Sequence, residues 1–448
     1  MRRRAAGLRT GVVVAYIAGV AACAGGLTAG EAPLTPADLR VDPGRIEARI
    51  LKLGTYGANP AGGVSRVAYS AADIAGRGYI IELMRAAGLE VRLDAAANII
   101  GRRPGSHPDL PPIMFGSHID SVPHGGNYDG DLGVIAAIEC MQVLDEQDVV
   151  TRHPLETIVF TDEEGGLVGS RAVIGELTDD ALAVVSHSGL TVREGIAALG
   201  GSPDDLAAAV RPKDSIKAFL ELHIEQGAIL DEANIDIGVV EGIVGINWWT
   251  ATIEGVANHA GTTPMNRRQD ALLAAAHLIV AVNEEVRSIE GTHVGTVGRI
   301  SAEPGAPNVI AGRVVLSIEL RDLSSDRIHL LFGKIVQAAR RIEQATRTGI
   351  SLEPIDAASE PAPTDALLRR IIDESARDLG LSTRSMPSGA GHDAQDMARI
   401  TRIGMIFVPS AGGISHSPHE LTHRGDMANG ANVLLRAILS IDRGALDQ

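Results

Sequence analysis

Disulfide chemistry is nearly excluded from the start, because the 448-residue chain carries two cysteines, Cys23 and Cys140. Cys23 lies in a segment expected to be cleaved off or lipidated, which leaves Cys140 without a partner. Cys140 sits beside Ala136, Ala137, Ile138 and Met141, and a thiol in that company is expected to be buried and inert. Positive charge is scarce as well: 40 Lys and Arg face 56 Asp and Glu, a formal net charge of −16. Nucleic acid and anionic membrane surfaces are poor partners for such a chain. There is no internal repeat, no low-complexity tract and, past the first residues, no basic cluster. What is present, 45% hydrophobic and 21% charged residues, describes a globular protein long enough for two domains.

The N-terminus reads differently. Arg2-Arg3-Arg4 precede a short apolar run, Gly11 to Ala22, followed by small residues. That is the layout of a secretory signal, and the run is too short for a comfortable membrane span. Val20-Ala21-Ala22-Cys23 also resembles a bacterial lipoprotein cleavage box, while simple cleavage at a nearby Ala-x-Ala site fits equally. The expectation is a signal over residues 1–30 and an exported protein, periplasmic or cell-envelope. Membrane contact would come only through a lipid anchor at Cys23.

Hydrophobic periodicity predicts helices over 43–54, 71–88 and 132–146, and strands at 89–93, 97–101, 112–116, 157–161 and around 218–223. That alternation specifies an α/β architecture with a helix-covered, mostly parallel sheet. From about Gly245 the pattern changes to strand 247–254, helix 268–285, strands 293–301 and 308–320, helix 325–346 and strand 350–355. This β-α-β-β-α-β order is ferredoxin-like. The expected organisation is a first domain over 31–244 and 357–448, interrupted by a self-contained α+β unit at 245–356.

Candidate chemistry gathers at the ends of the first domain's strands. The stretch Gly116-Ser117-His118-Ile119-Asp120-Ser121-Val122 runs on to Gly126-Asn127-Tyr128-Asp129-Gly130. His118 and Asp120 lie two residues apart, on one side of an extended chain, and Asp120 is best placed to orient the imidazole. Strand 157–161 ends in Asp162-Glu163-Glu164, three acids that repel one another unless a cation is present. His223 closes another strand, and His416 lies in a glycine-rich loop. Together His118, Asp129, Glu164, His223 and His416 offer imidazole and carboxylate ligands for two divalent ions, with Asp129 as the shared carboxylate. Zinc, manganese, cobalt and nickel all suit these donors. Side chains of neighbouring residues diverge, so Glu163 is left as general base.

The motifs GSHIDSV, GGNYDGDLG, DEEG, HIEQG, HAGTTPM, SGAGHDA and GISHS resemble those of the M20 family of metallopeptidases. They are most similar to its amidase, hydantoinase and carbamoylase branch. The resemblance covers roughly residues 40–442. It implies one ion held by His118, Asp129 and His223, another held by Asp129, Glu164 and His416, and Glu163 as the base. It implies that the inserted unit is a lid and dimerisation domain, making the protein a homodimer. His259 would reach the partner subunit's site to polarise the scissile carbonyl. Asn308 and Arg321 match substrate-binding positions, a guanidinium suiting a carboxylate bidentately; Gln226, Gly389 and Ala390 fall in motifs that contribute further substrate contacts. The implied activity is hydrolysis of a carbamoyl or ureido C–N bond in a small N-carbamoyl-L-amino acid-type substrate. A dipeptidase or N-acyl amino acid hydrolase of the same family is the alternative. One segment departs from the branch: after Glu164 an Arg-Phe pair is usual, and here Gly165-Gly166-Leu167-Val168-Gly169-Ser170 is shorter and lacks it.

Overall fold

The computed structural model describes residues 38–355 and 359–447, together with Gly11. The expected signal over 1–30, the anchor at Cys23 and the boundary expected at 356/357 lie outside the described residues. Along the chain, β1 (Glu90–Leu93) and β2 (Ile99–Arg103) are followed by β3 (Ile113–His118), β4 (Leu155–Phe160), β5 (Ala218–Ile224) and β6 (Ile237–Ile243). A second group comprises β7 (Gly245–Glu254), β8 (Asn258–His259), β9 (Val294–Thr296), β10 (Ile300–Glu303), β11 (Val309–Ile310), β12 (Arg313–Asp322) and β13 (Gly349–Pro354). The chain then returns to the first sheet with β14 (Ala362–Pro363), β15 (Thr383–Ser388) and β16 (Ile403–Val408).

The large sheet runs β1-β2-β4-β3-β5-β16-β6-β14, with β15 also on β6. Its centre, β4-β3-β5-β16, is parallel throughout, so both faces need cover. Every residue of β3, β4, β5 and β16 is buried, which is why β3, β4 and β16 read largely as apolar runs; β5 alternates in sequence, yet Glu221 and His223 are buried with the rest. Helix Asp131–Glu146 is apolar on nearly every side because it lies against β3 and between helices Pro43–Leu53 and Arg424–Asp442. Pro43–Leu53 starts where the sequence signals it: the Asp42 side chain accepts from the Gly44 and Arg45 amides, and Pro43 occupies the first turn.

The smaller sheet, β10-β12-β7-β13 with β9 also on β12, is antiparallel. Burial along β12 alternates strictly, the mark of a sheet with one face in a core and one in solvent. Helices Ala271–Arg287 and Ser325–Thr346 cover the inner face, and the Trp249 ring stacks on Phe332 at 4.0 Å. With its helices this is the ferredoxin-like arrangement.

Several boundaries differ from the sequence expectation. The second strand starts at Ile99 rather than at 97, because the Asp94 carboxylate captures the Ala96 and Asn98 amides in a turn with Ala97 at positive φ. The stretch 293–301 is two strands, not one. So is 308–320, broken at Ala311-Gly312. A Cβ at Gly312 would lie 3.0 Å from Ala257, a close approach that lets the chain step from β11 into β12. The break frees β11 to pair with β8, forming a separate two-stranded sheet that carries His259 and Asn308.

Candidate metal centre

The C-terminal ends of the parallel strands, where open α/β sheets place their ligand sites, deliver the candidate residues. His118 ends β3, Glu163 and Glu164 follow β4, His223 lies near the end of β5, and His416 sits on the loop after β16. Helix Asp131–Glu146 begins at Gly130 with φ 68°. Any Cβ there would come within 2.4 Å of the His118 ring, so glycine is what permits the turn to bring Asp129 to the imidazole.

Asp129 is the centre of the cluster. Its Oδ1 lies 3.0 Å from His223 Nε2 and 3.7 Å from His118 Nε2. Its Oδ2 lies 3.1 Å from His416 Nε2, which in turn is 3.3 Å from Glu164 Oε1. His118, Asp129 and His223 form one ligand-competent group, and Asp129, Glu164 and His416 form another. Glu163 is near but apart, its Oε2 3.6 Å from His118 Nε2.

The donor set fits two cations. The Nδ1 of His118 is 3.0 Å from the Asp120 carbonyl oxygen and that of His223 is 2.9 Å from the Ile224 carbonyl oxygen. A carbonyl only accepts, so both Nδ1 atoms carry a proton and each ring turns its Nε2 toward the cluster, the atom left to meet a cation. Asp120 therefore does orient His118, but through its backbone oxygen; its carboxylate stands 3.8 Å off. That carboxylate holds the acidic loop instead, accepting from the Glu163 amide on one oxygen and the Glu164 amide on the other.

The electrostatics point the same way. Burial opposes ionisation of Asp129, but His223, His416 and His118 outweigh it and hold the carboxyl well below its ordinary range. Burial, with Asp393 and Glu164 adding like charge, pushes Glu163 well above its ordinary value. His223 is raised to about 9: burial lowers it, but the bond to Asp129 prevails. His416 is raised to about 10 by its bonds to Asp129 and Glu164. Imidazoles that take up protons to neutralise surrounding carboxylates occupy positions suited to cations.

Residues without an assigned role in the sequence reading support the cradle. Glu420 Oε1 accepts from the Tyr128 and Asp129 amides, pinning the loop, and the Ser415 hydroxyl lies within bonding distance of both Asp129 and Glu420. Buried His392 packs edge-on against His223, ring centroids 4.5 Å apart, and its Nε2 is 2.8 Å from the Ser388 hydroxyl. These residues lie within or beside the SGAGHDA and GISHS motifs, but their spacing alone carries no sign of these contacts.

The substrate candidates divide. Gln226, Gly389 and Ala390 line a cavity of about 470 Å³ that also includes His416. Gln226 donates from Nε2 to Asp129 Oδ2 at 2.7 Å, so it also braces the shared carboxylate. Arg321 bridges the two sheets, its guanidinium donating to the Gly389 carbonyl at 2.7 Å and to Glu319. His259 on β8 and Asn308 just before β11 are exposed neighbours, and no hydrogen bond or ion pair among the described residues joins His259 to the five ligand candidates. His259 Nδ1 accepts from the Gly261 and Thr262 amides, which fixes the neutral ring's proton on the outward Nε2 as a free donor.

A parallel-sheet domain with paired imidazole–carboxylate groups defines a metal-site hydrolase scaffold, and comparison with known proteins makes the class specific. The model of peptidase family M20/M25/M40 matches residues 114–440. The N-carbamoyl-L-amino acid amidohydrolase of Geobacillus stearothermophilus is 40% identical over 405 residues, 89% of this chain and 98% of that one. The allantoate amidohydrolase of Escherichia coli is 34% identical, covering 87% of this chain and 95% of that one. A hydantoinase/carbamoylase family amidase from Burkholderia multivorans superposes with a TM-score of 0.84 at 34% identity, covering 90% and 98%. The chain belongs to the M20/M25/M40 peptidase family, a metal-dependent family, and is a hydrolase of amide C–N bonds.

Proposed function

We propose that the protein is a dinuclear-metal amidohydrolase that removes the carbamoyl group of N-carbamoyl-L-amino acid-type substrates. The observation that carries this reading is the division of Asp129, whose two oxygens face two different imidazole-bearing groups. His118, Asp129 and His223 would hold one ion, and Asp129, Glu164 and His416 the other, with zinc the first candidate. Bound there, divalent ions supply Lewis acidity at the carbonyl and make water a better nucleophile near neutral pH.

The chain's own groups do the rest. Glu163 takes the proton from the attacking water and returns it to the departing nitrogen; its raised affinity for protons suits a base that must hold one between steps. His259 offers its Nε2 proton to the carbonyl oxygen of a substrate in the partner subunit of a homodimer. Arg321 and Asn308 take the substrate carboxylate, while Gln226, Gly389 and Ala390 line its approach. Water adds to the carbamoyl carbon and the C–N bond breaks. The free amino acid leaves, and the carbamate falls apart to ammonia and carbon dioxide. We further propose export to the periplasm or cell envelope, with the mature chain beginning near Cys23.

The test is a panel assay of protein loaded separately with zinc, manganese, cobalt or nickel against N-carbamoyl-L-amino acids, allantoate, ureidoglycolate and dipeptides. Turnover of an N-carbamoyl-L-amino acid above all others is expected. Preference for a dipeptide would replace the reading.

A further inference from the structure

The loop that presents His259 is braced by an arginine with no role in the chemistry above. Arg268 donates from Nη2 to the Ala260 carbonyl at 2.6 Å and from Nε to the Thr263 carbonyl at 3.1 Å. One edge of its guanidinium thus spans Ala260-Gly261-Thr262-Thr263, the turn that follows His259. A rigid fork of N–H groups holds two carbonyls at once, which an ammonium on a flexible stem does not. Neighbouring Arg267 is exposed, whereas Arg268 is half-buried. A second guanidinium backs the first: Arg347 Nη2 donates to the Asn266 and Arg268 carbonyls at 2.7 and 3.1 Å. Arg347 itself stands at φ 59° at the end of helix Ser325–Thr346, where glycine is the usual stop. Among the described residues, every side-chain hydrogen bond of these two arginines goes to a main-chain carbonyl rather than to an acid.

The Ala260 carbonyl and the Gly261 amide belong to one planar peptide unit, and its two ends do different work. The oxygen accepts from Arg268, and the N–H donates to His259 Nδ1 at 3.0 Å. In a trans peptide these groups point in opposite directions, so guanidinium, peptide and imidazole form a chain. A cation on the oxygen polarises the unit and strengthens its N–H as a donor, the cooperativity of linked hydrogen bonds. An Nδ1 that accepts from a strengthened donor keeps its lone pair, and the proton of the neutral ring stays on Nε2. The Thr262 amide, 3.2 Å from the same Nδ1, lies within the span that the bond to Thr263 closes.

We propose that Arg268 is a positioning residue: through the Ala260–Gly261 peptide it fixes both the orientation of the His259 ring and the tautomer that leaves Nε2 as the donor. The proposal rests on the reading of His259 as donor to a substrate carbonyl. It deepens that reading by naming what holds the donor ready while the ring stands exposed. Among the described residues Arg268 bonds to none of the five ligand candidates, so its effect on the rate passes through His259.

The test has one readout without turnover and one with it. In zinc-loaded wild type, at a pH where the ring is neutral, the ring-nitrogen chemical shifts of His259 are assigned by difference from His259→Ala. They should show Nδ1 as the unprotonated nitrogen, and Arg268→Ala should move both nitrogens toward the average of mixed tautomers. In turnover of an N-carbamoyl-L-amino acid, Arg268→Ala should lower kcat by up to about 10²-fold, the scale of a misplaced group, at unchanged KM and full metal content. Arg268→Lys should lose as much. Added guanidinium should restore part of the loss in Arg268→Ala but none in His259→Ala. In a His259→Ala background, Arg268→Ala should cost nothing further. Wild-type kcat in Arg268→Ala, a loss that adds in full to that of His259→Ala, or ring shifts that stay in place would each overturn the proposal. Should Arg268→Ala fail to fold, Arg268→Lys carries the same comparisons. If His259→Ala itself leaves kcat intact, the donor reading of His259 fails, and the ring shifts alone decide whether Arg268 sets the tautomer.

Discussion

The ligand cradle and the two-stranded ribbon solve opposite problems. In the cradle, His118 and His223 are buried at the ends of strands and locked by backbone carbonyls. On the separate ribbon of β8 and β11, His259 and Asn308 stand exposed. Buried donors fixed in advance suit a cation, which tolerates little displacement of its ligands. Exposed donors suit a part that meets its target only when another surface arrives. The contrast shows a cradle whose donors are fixed in advance, and on the proposed reading it leaves the ribbon to assembly.

Breaking the cradle should have the largest effect. Asp129→Asn removes the carboxylate that both groups share, so metal analysis should show both ions reduced together and activity lost. Loss of one ion alone would show that the carboxylate is not shared. Glu163→Gln should lower kcat by about 10²–10⁴ while both ions remain; an ion lost with it would make Glu163 a ligand.

The ribbon side of the contrast is sharpened by His259→Ala, expected to cost about 10²–10³ in kcat, the scale of one oxyanion donor, at full metal content. Mixing this variant with Glu163→Gln should restore activity if each His259 serves the opposite subunit, since one site of the mixed dimer then holds both groups. No recovery after verified subunit exchange would confine His259 to its own chain.

The smallest signal is protonic. Without metal, His223 titrates near 9 and His416 near 10, so at pH 8 both rings hold protons that a cation must displace. Loading metal into weakly buffered protein at pH 8 should release about two protons per chain. The release should diminish, and the affinity for metal increase, as pH rises through 9 and 10. The sign for the metal-free fold is opposite. Both folded pKa values lie above the ordinary 6.5, so the stability that these rings draw from Asp129 is full below about 6.5. It fades as pH rises through 9 to 10. Constant release from pH 7 to 10 would contradict the pairing with Asp129.

The cradle was legible in the sequence because its chemistry is concentrated at strand ends. His118 after an apolar run, Glu163 and Glu164 after another and His223 near the end of an alternating strand are visible as residue type plus position, and the sheet brings them together. The two-stranded ribbon was not legible. A break at Ala311-Gly312 depends on how closely Gly312 passes Ala257, a tertiary contact that no local periodicity records. Asp120 shows a finer failure: sequence identifies the residue, but not that its carbonyl rather than its carboxylate turns the ring. Glu420 was missed because the amides it caps lie about 290 positions away in the chain.

The carbonyl anchors of His118 and His223 bear on how this site can change over generations. Every amino acid carries a main-chain oxygen, so replacing residue 120 or 224 leaves the acceptor in place. Drift can therefore rework side chains around the cradle without releasing either imidazole, although Gly130, packed against the His118 ring, must stay. A lineage built this way can trade one amide for another while its hydrolytic core stays put, and laboratory selection for new substrates should find its tolerant positions among those side chains.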